Sequence, residues 1–362
     1  LEYQIEENGY EIFKSRVELP ALKPNDTLRI KLPFNLNLDQ AKESFINIQA
    51  RFKEANLWAK SDYEMAQAQF ALKERNNNLA PVVESKERFN VTEDKEQITL
   101  ENKGFKISFD KENGEIISWK YEDCEVITDR KGSPHYNNNR WIENDKHGDS
   151  ISSDIASTFE IKLNAEYTKA EVKVNTTSEK CPYTIEYTVY SNNIVDMKVT
   201  MNPIVEGLRR LGLGMIFSKD FEEIDYYAKG PWENYNDRQE ASFVGRYSTT
   251  VSDMLTPYAH PQSCGNRQEM REIFLYKKGS TKGLKIEANQ PIAFSMLHFD
   301  DKDFNKEKLH PWELNPREEV YAHFDFVQRG LGNGSCGPQT IEKYQVPSSG
   351  TYSFTLRFSP LR

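Results

Sequence analysis

The sequence predicts an all-β protein built from β-sandwiches, and three observations carry that prediction. Hydrophobic and polar residues alternate with period two in many short segments, which is typical of strands with one buried and one solvated face. Turn-forming residues separate these segments. No long segment combines helical periodicity with a capping box. Many short strands divided by turns favour sandwiches over a parallel sheet flanked by helices.

Alternating segments predict strands along the whole chain. The predicted strands lie at residues 10–13, 28–32, 45–48, 64–72, 105–109 and 183–190. Turns are predicted at 7–9, 24–26 and 112–114, where Asn, Asp, Pro and Gly accumulate. Asn113-Gly114 is the clearest turn signal, because Asn-Gly readily adopts the positive φ angles of a tight hairpin loop. The sequence therefore predicts a hairpin between Phe109 and Ile116.

A change of composition at residues 76–81 predicts a domain boundary. Three consecutive Asn residues and a Pro occur there, which suits a linker. We expect one unit at 1–75, a linker at 76–92 and a larger β-rich unit at 93–362. Residues 1–75 are short for an immunoglobulin-like sandwich, which needs about 100 residues, so we interpret them as a partial one.

Composition limits the classes of protein to which the chain can belong. The 362 residues are 37% hydrophobic and 28% charged, which is typical of a globular protein. The net charge of −9 argues against nucleic acid as a partner, and no apolar run reaches the about 18 residues that cross a membrane. The four cysteines are too few and too scattered for a disulfide scaffold or a zinc site. The chain opens at Leu1 without a signal peptide, so the compartment, bacterial cytoplasm or periplasm, stays open.

The most specific pattern lies between Gly230 and Glu272. Residues 230–238 read Gly-Pro-Trp-Glu-Asn-Tyr-Asn-Asp-Arg, and residues 252–258 read Ser-Asp-Met-Leu-Thr-Pro-Tyr. Gly-Asn-Arg follows at 265–267, and an Arg-Glu pair ends the pattern. With its rare Trp, Met, Tyr and Pro residues at fixed spacing, the pattern resembles the last domain of the large family 2 β-galactosidases.

The resemblance implies a fold and a partial chain. In that family an immunoglobulin-like sandwich precedes a terminal β-supersandwich built like the galactose-mutarotase fold. The resemblance covers essentially the whole chain, and it implies that residues 1–75 begin inside the first sandwich, after its first strands. It also implies that the catalytic (β/α)₈ barrel with its two glutamates is missing, since the sequence shows no alternation of strands and helices.

Two interpretations of residues 230–238 stay open. Trp232 and Tyr235 suit stacking on a pyranose ring, which would make the segment a sugar-binding edge. We favour a structural clamp, in which Arg238 or Arg246 pairs with a carboxylate and Trp232 lies in the core. The residues of this structural motif are Trp232, Glu233, Asn234, Tyr235, Asp237 and Arg238.

The resemblance places the rim of the sugar pocket in two loops that we expect to converge. Residues 143–145 correspond to the D-N-D of the family pattern R-A-P-x-D-N-D, and Asn139 stands where the family has Arg. The alternative for this loop is a solvated acidic turn. In the second loop, Cys336 stands where the family has a Trp platform, which a thiol cannot replace. The residues expected at the rim are Asn144, Asp145, His147, Gly148, Ser335 and Cys336.

The sequence predicts no cofactor in this chain. Residues 301–305 resemble the start of a calcium loop, but Lys306 and Trp312 replace the Gly and Glu that an EF-hand requires. The family has a sodium site made partly from backbone carbonyls, which the resemblance places at His260 and Pro261. The full-length enzyme is expected to need magnesium and sodium.

Together these features predict a C-terminal fragment of a β-galactosidase that hydrolyses terminal β-D-galactosides with retention. The fragment is expected to shape the sugar pocket and subunit contacts, to carry no catalytic residue and to be inactive alone. Its expected partners are a β-galactoside, the missing barrel and further copies of itself in a homo-oligomer. A stand-alone carbohydrate-binding module of mutarotase-like fold is the alternative, and an epimerase that uses a paired His and Glu is a third class.

Overall fold

The computed structural model describes residues 1–83, 85–142, 152–305, 307–308, 310–332 and 340–361. The described residues form 21 β-strands, and helical structure among them is limited to five 3₁₀ turns. The all-β fold class predicted from the sequence is therefore confirmed. In this part of the chain no helix is long and apolar enough to cross a membrane. The chain divides into two compact units, Leu1–Asn77 and Asn78–Arg362, while the linker expected at 76–92 stays a prediction.

The first unit is one antiparallel sheet with a small core on one face. In spatial order its strands are β2 (Tyr10–Arg16), β1 (Glu2–Glu7), β3 (Ser44–Arg51) and β4 (Glu64–Lys73). Tyr3, Ile5 and Ile46 form the buried core. Residues 17–43, which contain no strand, supply leucines that pack against this core. One layer of the unit is therefore a sheet, and the other is irregular chain.

The prediction of a strand at residues 28–32 is wrong. These residues belong to no strand, and the side chains of Leu28 and Ile30 are exposed. Prolines precede and follow the segment, and a proline has no N–H to donate to a neighbouring strand. Directly after this segment, the Tyr3 hydroxyl on β1 donates a hydrogen bond of 2.9 Å to the Pro33 carbonyl, which ties the irregular chain to the sheet.

The second unit packs a small sheet against a large one. In its described residues the small sheet runs β5 (Asn90–Glu93), β6 (Gln97–Asn102), β7 (Phe105–Asp110), β8 (Ile116–Tyr121) and β9 (Cys124–Glu125). The main path of the large sheet runs β10 (His135–Tyr136), β15 (Arg210–Phe217), β20 (Val320–Gln328), β19 (Gly283–Leu297), β21 (Tyr352–Leu361), β14 (Val195–Met201), β13 (Tyr183–Tyr190), β12 (Lys169–Ser178) and β11 (Asp154–Leu163).

Three further strands branch from β19, and short helical turns join several strands. The branch consists of β18 (Arg267–Lys277), which pairs with β19, then β16 (Phe221–Gly230) and β17 (Phe243–Thr250). The 3₁₀ turns are Arg130–Gly132, Ser252–Met254, Asp301–Asp303, Pro311–Glu313 and Glu342–Tyr344. The branch matters for function because the segment at 230–238 begins where β16 ends.

The hydrophobic core of the second unit lies between its two sheets. The ring of Trp119 on β8 is 5.0 Å from that of Phe358 on β21, and Phe109 on β7 is 5.4 Å from Tyr187 on β13. Inward and outward positions alternate along β13, as the sequence predicts, and they also alternate along β12. The predicted β-supersandwich is therefore confirmed.

The hairpin predicted at Asn113-Gly114 is also confirmed. It joins β7 and β8, which pair antiparallel, and Gly114 has φ +77°. A Cβ at Gly114 would lie 2.5 Å from a methyl group of Val174 on the other sheet. Glycine is therefore required by both the turn conformation and the close packing of the two layers.

Candidate functional site

The Glu233 carboxylate joins three separate parts of the chain. Its Oε2 accepts a hydrogen bond from the Gly265 amide at 2.9 Å, and its Oε1 accepts one from Arg238 at 2.6 Å. The Tyr258 hydroxyl also donates to Oε1. Only 8% of the Glu233 side chain is exposed, so these donors replace the water that a buried carboxylate loses.

Asn234 and Asn266 pair through their backbones and side chains. The Asn234 amide donates to the Asn266 carbonyl at 2.9 Å, and Asn266 Nδ2 donates back to the Asn234 carbonyl at 2.7 Å. Asn234 Oδ1 accepts the Gln268 amide at 2.8 Å. Both asparagines are buried, so the pairing fixes the turn after β16 against the start of β18.

Tyr235 and Arg238 close the turn. The backbone N–H of each donates to the carbonyl of the other, at 3.1 and 2.8 Å. The Arg238 guanidinium lies 5.3 Å from the centre of the buried Tyr235 ring, within the range of a cation–π contact. Arg238 pairs with Glu233, and Arg246 pairs with Glu272. Both arginines therefore have the carboxylate partners that the clamp interpretation requires.

The prediction that Trp232 lies in the core is wrong. Its side chain is 75% exposed. The clamp holds only its backbone, because Asn234 Nδ2 donates to the Trp232 carbonyl at 2.9 Å. Tyr235 is the aromatic residue of this turn that is buried. For Trp232 alone, the interpretation as a sugar-stacking side chain therefore stays open.

Asp237 anchors the backbone at residues 331–332. Its Oδ1 accepts the Leu331 amide at 3.0 Å and its Oδ2 accepts the Gly332 amide at 2.7 Å. Gly330 permits this approach, because a Cβ there would lie 2.5 Å from Asp237 Oδ2. The motif therefore holds the chain directly before residues 333–339.

Arg140 provides a second anchor for the same stretch. Its guanidinium donates to the carbonyls of Arg329 and Gly330 and to the Gln328 side chain, and the residue is only 1% exposed. Arg209 Nη1 in turn donates to the Arg140 carbonyl at 2.7 Å. A buried guanidinium that bonds to carbonyls fixes the geometry of the backbone around it.

Arg140 is a site residue that the sequence prediction missed. The family pattern directs attention to Asn139, which stands where the family has Arg. A shift of one position in that comparison would have identified Arg140 as the arginine of this segment.

The described flanks of the two predicted rim loops meet in space. Arg140 lies shortly before residues 143–151, and it bonds to the residues that precede 333–339. The predicted rim residues Asn144, Asp145, His147, Gly148, Ser335 and Cys336 lie outside the described residues. The convergence of the loops themselves, and the distance between Asp145 and Cys336, stay predictions.

Four ionisable groups are buried together beside the end of β20. His323 Nε2 lies 3.0 Å from Asp301 Oδ2, and Arg210 lies 3.9 Å from carboxylate oxygens of both Asp301 and Asp325. Gln328 Nε2 donates to Asp325 Oδ2 at 2.8 Å. The side chains of Asp301, Asp325, His323 and Arg210 are each less than 10% exposed.

The two carboxyl groups respond differently to burial. Burial raises the pKa of Asp301, but the charges of His323 and Arg210 outweigh it and lower that pKa to about 2. At Asp325 burial prevails over Arg210 and raises the pKa. A Cβ at Gly212 would lie 2.1 Å from Asp325 Oδ1, so the carboxylate occupies the space that glycine leaves. This cluster has no signal in the sequence, because His323 and Asp325 alternate with apolar residues as on any solvated strand face.

The backbone proposed to hold a cation has another partner in this structure. The His260 carbonyl accepts a hydrogen bond from Gln262 Nε2 at 3.3 Å. The sodium site expected at His260 and Pro261 stays a prediction. Among the described residues, His, Cys, Asp and Glu side chains form no group of three that could hold a metal.

The structural class of the second unit is an all-β supersandwich with a buried clamp after β16. Comparison of the sequence with family models identifies the family of the chain. Residues 101–358 match the model described as "Beta galactosidase small chain", and residues 1–73 match "Beta-galactosidase, domain 4". The chain therefore belongs to the β-galactosidase small-chain family. The resemblance inferred from the sequence is confirmed.

Curated relatives carry the name β-galactosidase. The chain is 27% identical over 380 residues to the enzyme of Lactococcus lactis subsp. lactis, which covers 97% of this chain and 37% of the relative. It is 22% identical over 379 residues to that of Priestia megaterium, which covers 99% of this chain and 36% of the relative. The chain thus spans little more than a third of the length of these relatives.

Solved structures of sugar epimerases are similar to part of the chain. Galactose 1-epimerase from Lactobacillus acidophilus matches with a TM-score of 0.40 and 11% identity, over 75% of this chain and 98% of its own. A putative aldose 1-epimerase from Escherichia coli matches with a TM-score of 0.38 and 9% identity, over 75% of this chain and 99% of its own. Scores of this size carry no argument about function.

Proposed function

We propose that this chain walls one side of the sugar pocket in a longer β-galactosidase, which hydrolyses terminal β-D-galactosides with retention. Membership of the β-galactosidase small-chain family supports the enzyme class. The observation that carries the role of this chain is the double anchor at residues 329–332. Asp237 and Arg140 hold the same short stretch, so the flanks of both expected rim loops are fixed together.

The chemistry itself is assigned to a part of the longer protein outside this chain. Retaining glycosidases use two carboxylates about 5–5.5 Å apart as nucleophile and acid/base. In a (β/α)₈ enzyme such groups stand at the ends of barrel strands. The described residues contain no alternation of strands and α-helices. The isolated chain is therefore proposed to be inactive.

The partners follow from the same proposal. The chain is proposed to contact the catalytic barrel of its own polypeptide, a β-galactoside and further copies in a homo-oligomer. The requirement for magnesium and sodium is proposed for the full-length enzyme. We assign no ion to the described residues, in which no group of three acidic, His or Cys side chains is suited to a metal.

The experiment has two parts. The isolated chain, mixed with nitrophenyl β-galactoside, is expected to release no nitrophenol above the buffer background. In a full-length enzyme that carries this sequence, Asp237→Ala is expected to lower kcat/KM about tenfold, because the Leu331 and Gly332 amides lose their acceptor. Asp253→Ala, which removes an exposed carboxylate, is the matched control and is expected to have no effect.

Two results would contradict the proposal. One is turnover by the isolated chain that disappears when one of its own carboxylates is replaced. The other is an unchanged kcat/KM in Asp237→Ala together with normal folding, which would show that the anchored stretch has no part in forming the pocket.

A further inference from the structure

A groove of about 340 Å³ lies between strands at opposite ends of the main path of the large sheet. At one end, β10 contributes His135, and at the other, β11 contributes Asp154 and Ala156. Arg130 and Lys131 of the first 3₁₀ turn form part of its wall. The volume falls within the range of small-molecule sites, which is about 300–1,000 Å³.

One wall of the groove offers groups that pair with hydroxyls. Asp154 Oδ2 accepts the Tyr183 hydroxyl at 2.8 Å. Beside it, the hydroxyl oxygens of Ser157 and Thr176 lie 3.0 Å apart. A carboxylate flanked by hydroxyl groups is suited to accept hydrogen bonds from a polyhydroxylated ligand.

The floor of the groove is apolar. Val174, Ile185 and Tyr187 line it, and each of these side chains is less than 10% exposed. An apolar floor beside a polar wall matches the two kinds of surface on a pyranose, whose C–H face is apolar and whose edge carries hydroxyls.

The charges around the groove favour a neutral ligand. Arg130 is already paired with Asp110, and it also lies 3.6 Å from Glu115. An anionic ligand would be repelled by the Asp154 carboxylate, and a cationic ligand would be repelled by Arg130 and Lys131. A neutral ligand avoids both repulsions.

We propose that this groove binds a neutral mono- or disaccharide. The proposal rests on the proposed function, because a β-galactosidase works among such sugars. It deepens that function by giving this chain a binding activity of its own, carried by Asp154 and the apolar floor.

Titration calorimetry of the intact 362-residue chain with lactose and with galactose tests the proposal. Saturable binding of at least one of these sugars is expected. Asp154→Asn is expected to weaken it at least fivefold, since the amide offers one acceptor atom fewer and no charge. Ala156→Trp is expected to abolish it, because Ala156 is exposed in the groove and a large ring there fills the space. Glu160→Gln, on the same strand but outside the groove, is the matched control and should bind as the unmodified chain does.

The outcomes separate this proposal from the proposed function. If neither sugar binds saturably, the proposal that the groove binds a saccharide is overturned. It is also overturned if Asp154→Asn and Ala156→Trp leave the binding unchanged while both variants keep the melting temperature of the unmodified chain. Neither result would bear on the hydrolysis experiments. Conversely, turnover by the isolated chain would overturn the proposed function and leave the binding result standing.

Discussion

At the scale of single residues, the clamp depends on carboxylates that each bind several donors. Glu233 accepts from a backbone amide, a guanidinium and a hydroxyl, while Asp237 accepts two consecutive amides. An unpaired buried charge is strongly unfavourable, so removal of the carboxylate leaves the donors without partners. The side chains that join different parts of the chain are therefore also those whose loss should be most costly.

Glu233→Ala should lower the free energy of unfolding of the chain by about 3 kcal/mol, since it removes a buried carboxylate and leaves the Gly265 amide, Arg238 and Tyr258 without this acceptor. Urea denaturation followed by tryptophan fluorescence measures this change. Glu318→Ala is the control, because Glu318 pairs with Lys219 at the surface and its side chain is 74% exposed. The control should cost less than about 1 kcal/mol. Equal losses in the two variants would contradict the clamp.

Asp301 should make the stability of the chain depend on acid pH. Its pKa in the fold is about 2, below the ordinary value of 3.8, so its ionised form stabilises the fold above about pH 4. That contribution is lost as the pH falls from about 4 towards 2. In Asp301→Asn, the free energy of unfolding should therefore fall less steeply over this interval. Asp253→Asn, at an exposed carboxylate, should keep the slope of the unmodified chain, and an unchanged slope in Asp301→Asn would contradict the assignment.

At the scale of elements, the turn after β16 connects strands that are distant in sequence. It reaches β18 through Asn234 and the chain after β20 through Asp237. Asn236 Nδ2 adds a bond of 2.7 Å to the carbonyl of Gln328, the last residue of β20. One short segment therefore fixes two strand ends relative to each other.

Asp237→Ala should release the backbone after β20. The amides of Leu331 and Gly332 lose their acceptor, so their hydrogen exchange should become at least about tenfold faster, which corresponds to a local loss of roughly 1.4 kcal/mol. Exchange measured by mass spectrometry on peptides that span 329–332 tests this. Peptides from β12, which Asp237 does not touch, serve as the internal control. Unchanged exchange at 331–332 would show that other contacts hold this stretch.

Five of the six strands predicted from period-two alternation are present in the structure. The strand predicted at 183–190 coincides with β13, and the hairpin at Asn113-Gly114 forms where it was expected. The failure at 28–32 has a physical cause, because alternation does not show whether a neighbouring strand is available to accept hydrogen bonds. The flanking prolines were the signal against a strand.

At the scale of the whole molecule, the two units differ in the size of their cores. In the first unit the buried apolar cluster consists of Tyr3, Ile5 and Ile46. Phe70 of β4 pairs with Ile46 and therefore belongs to the same sheet face, yet its side chain is 56% exposed. The second unit buries aromatic and aliphatic side chains from both of its sheets. The core of the first unit is thus small and does not cover Phe70 on β4.

Residues 1–75 should be less protected from hydrogen exchange than residues 93–362. The reason is that a small core buries less apolar surface, and β2 and β4 are the edge strands of the described sheet. Exchange of the intact chain, resolved by peptide, measures the difference. The strands β13 and β14, in the middle of the large sheet, provide the reference for full protection. Equal protection in the two regions would contradict this prediction.

The sequence by itself determined the fold class, the family and the segment that forms the clamp. Alternation and turn residues act locally, and rare residues at fixed spacing identify a family without any coordinates. Only the tertiary structure decided that Trp232 is exposed, that Arg140 anchors the stretch at 329–330 and that Asp301 pairs with His323. The physical reason is that burial and hydrogen bonding depend on which distant segments meet. A local pattern cannot distinguish a buried polar face from a solvated one.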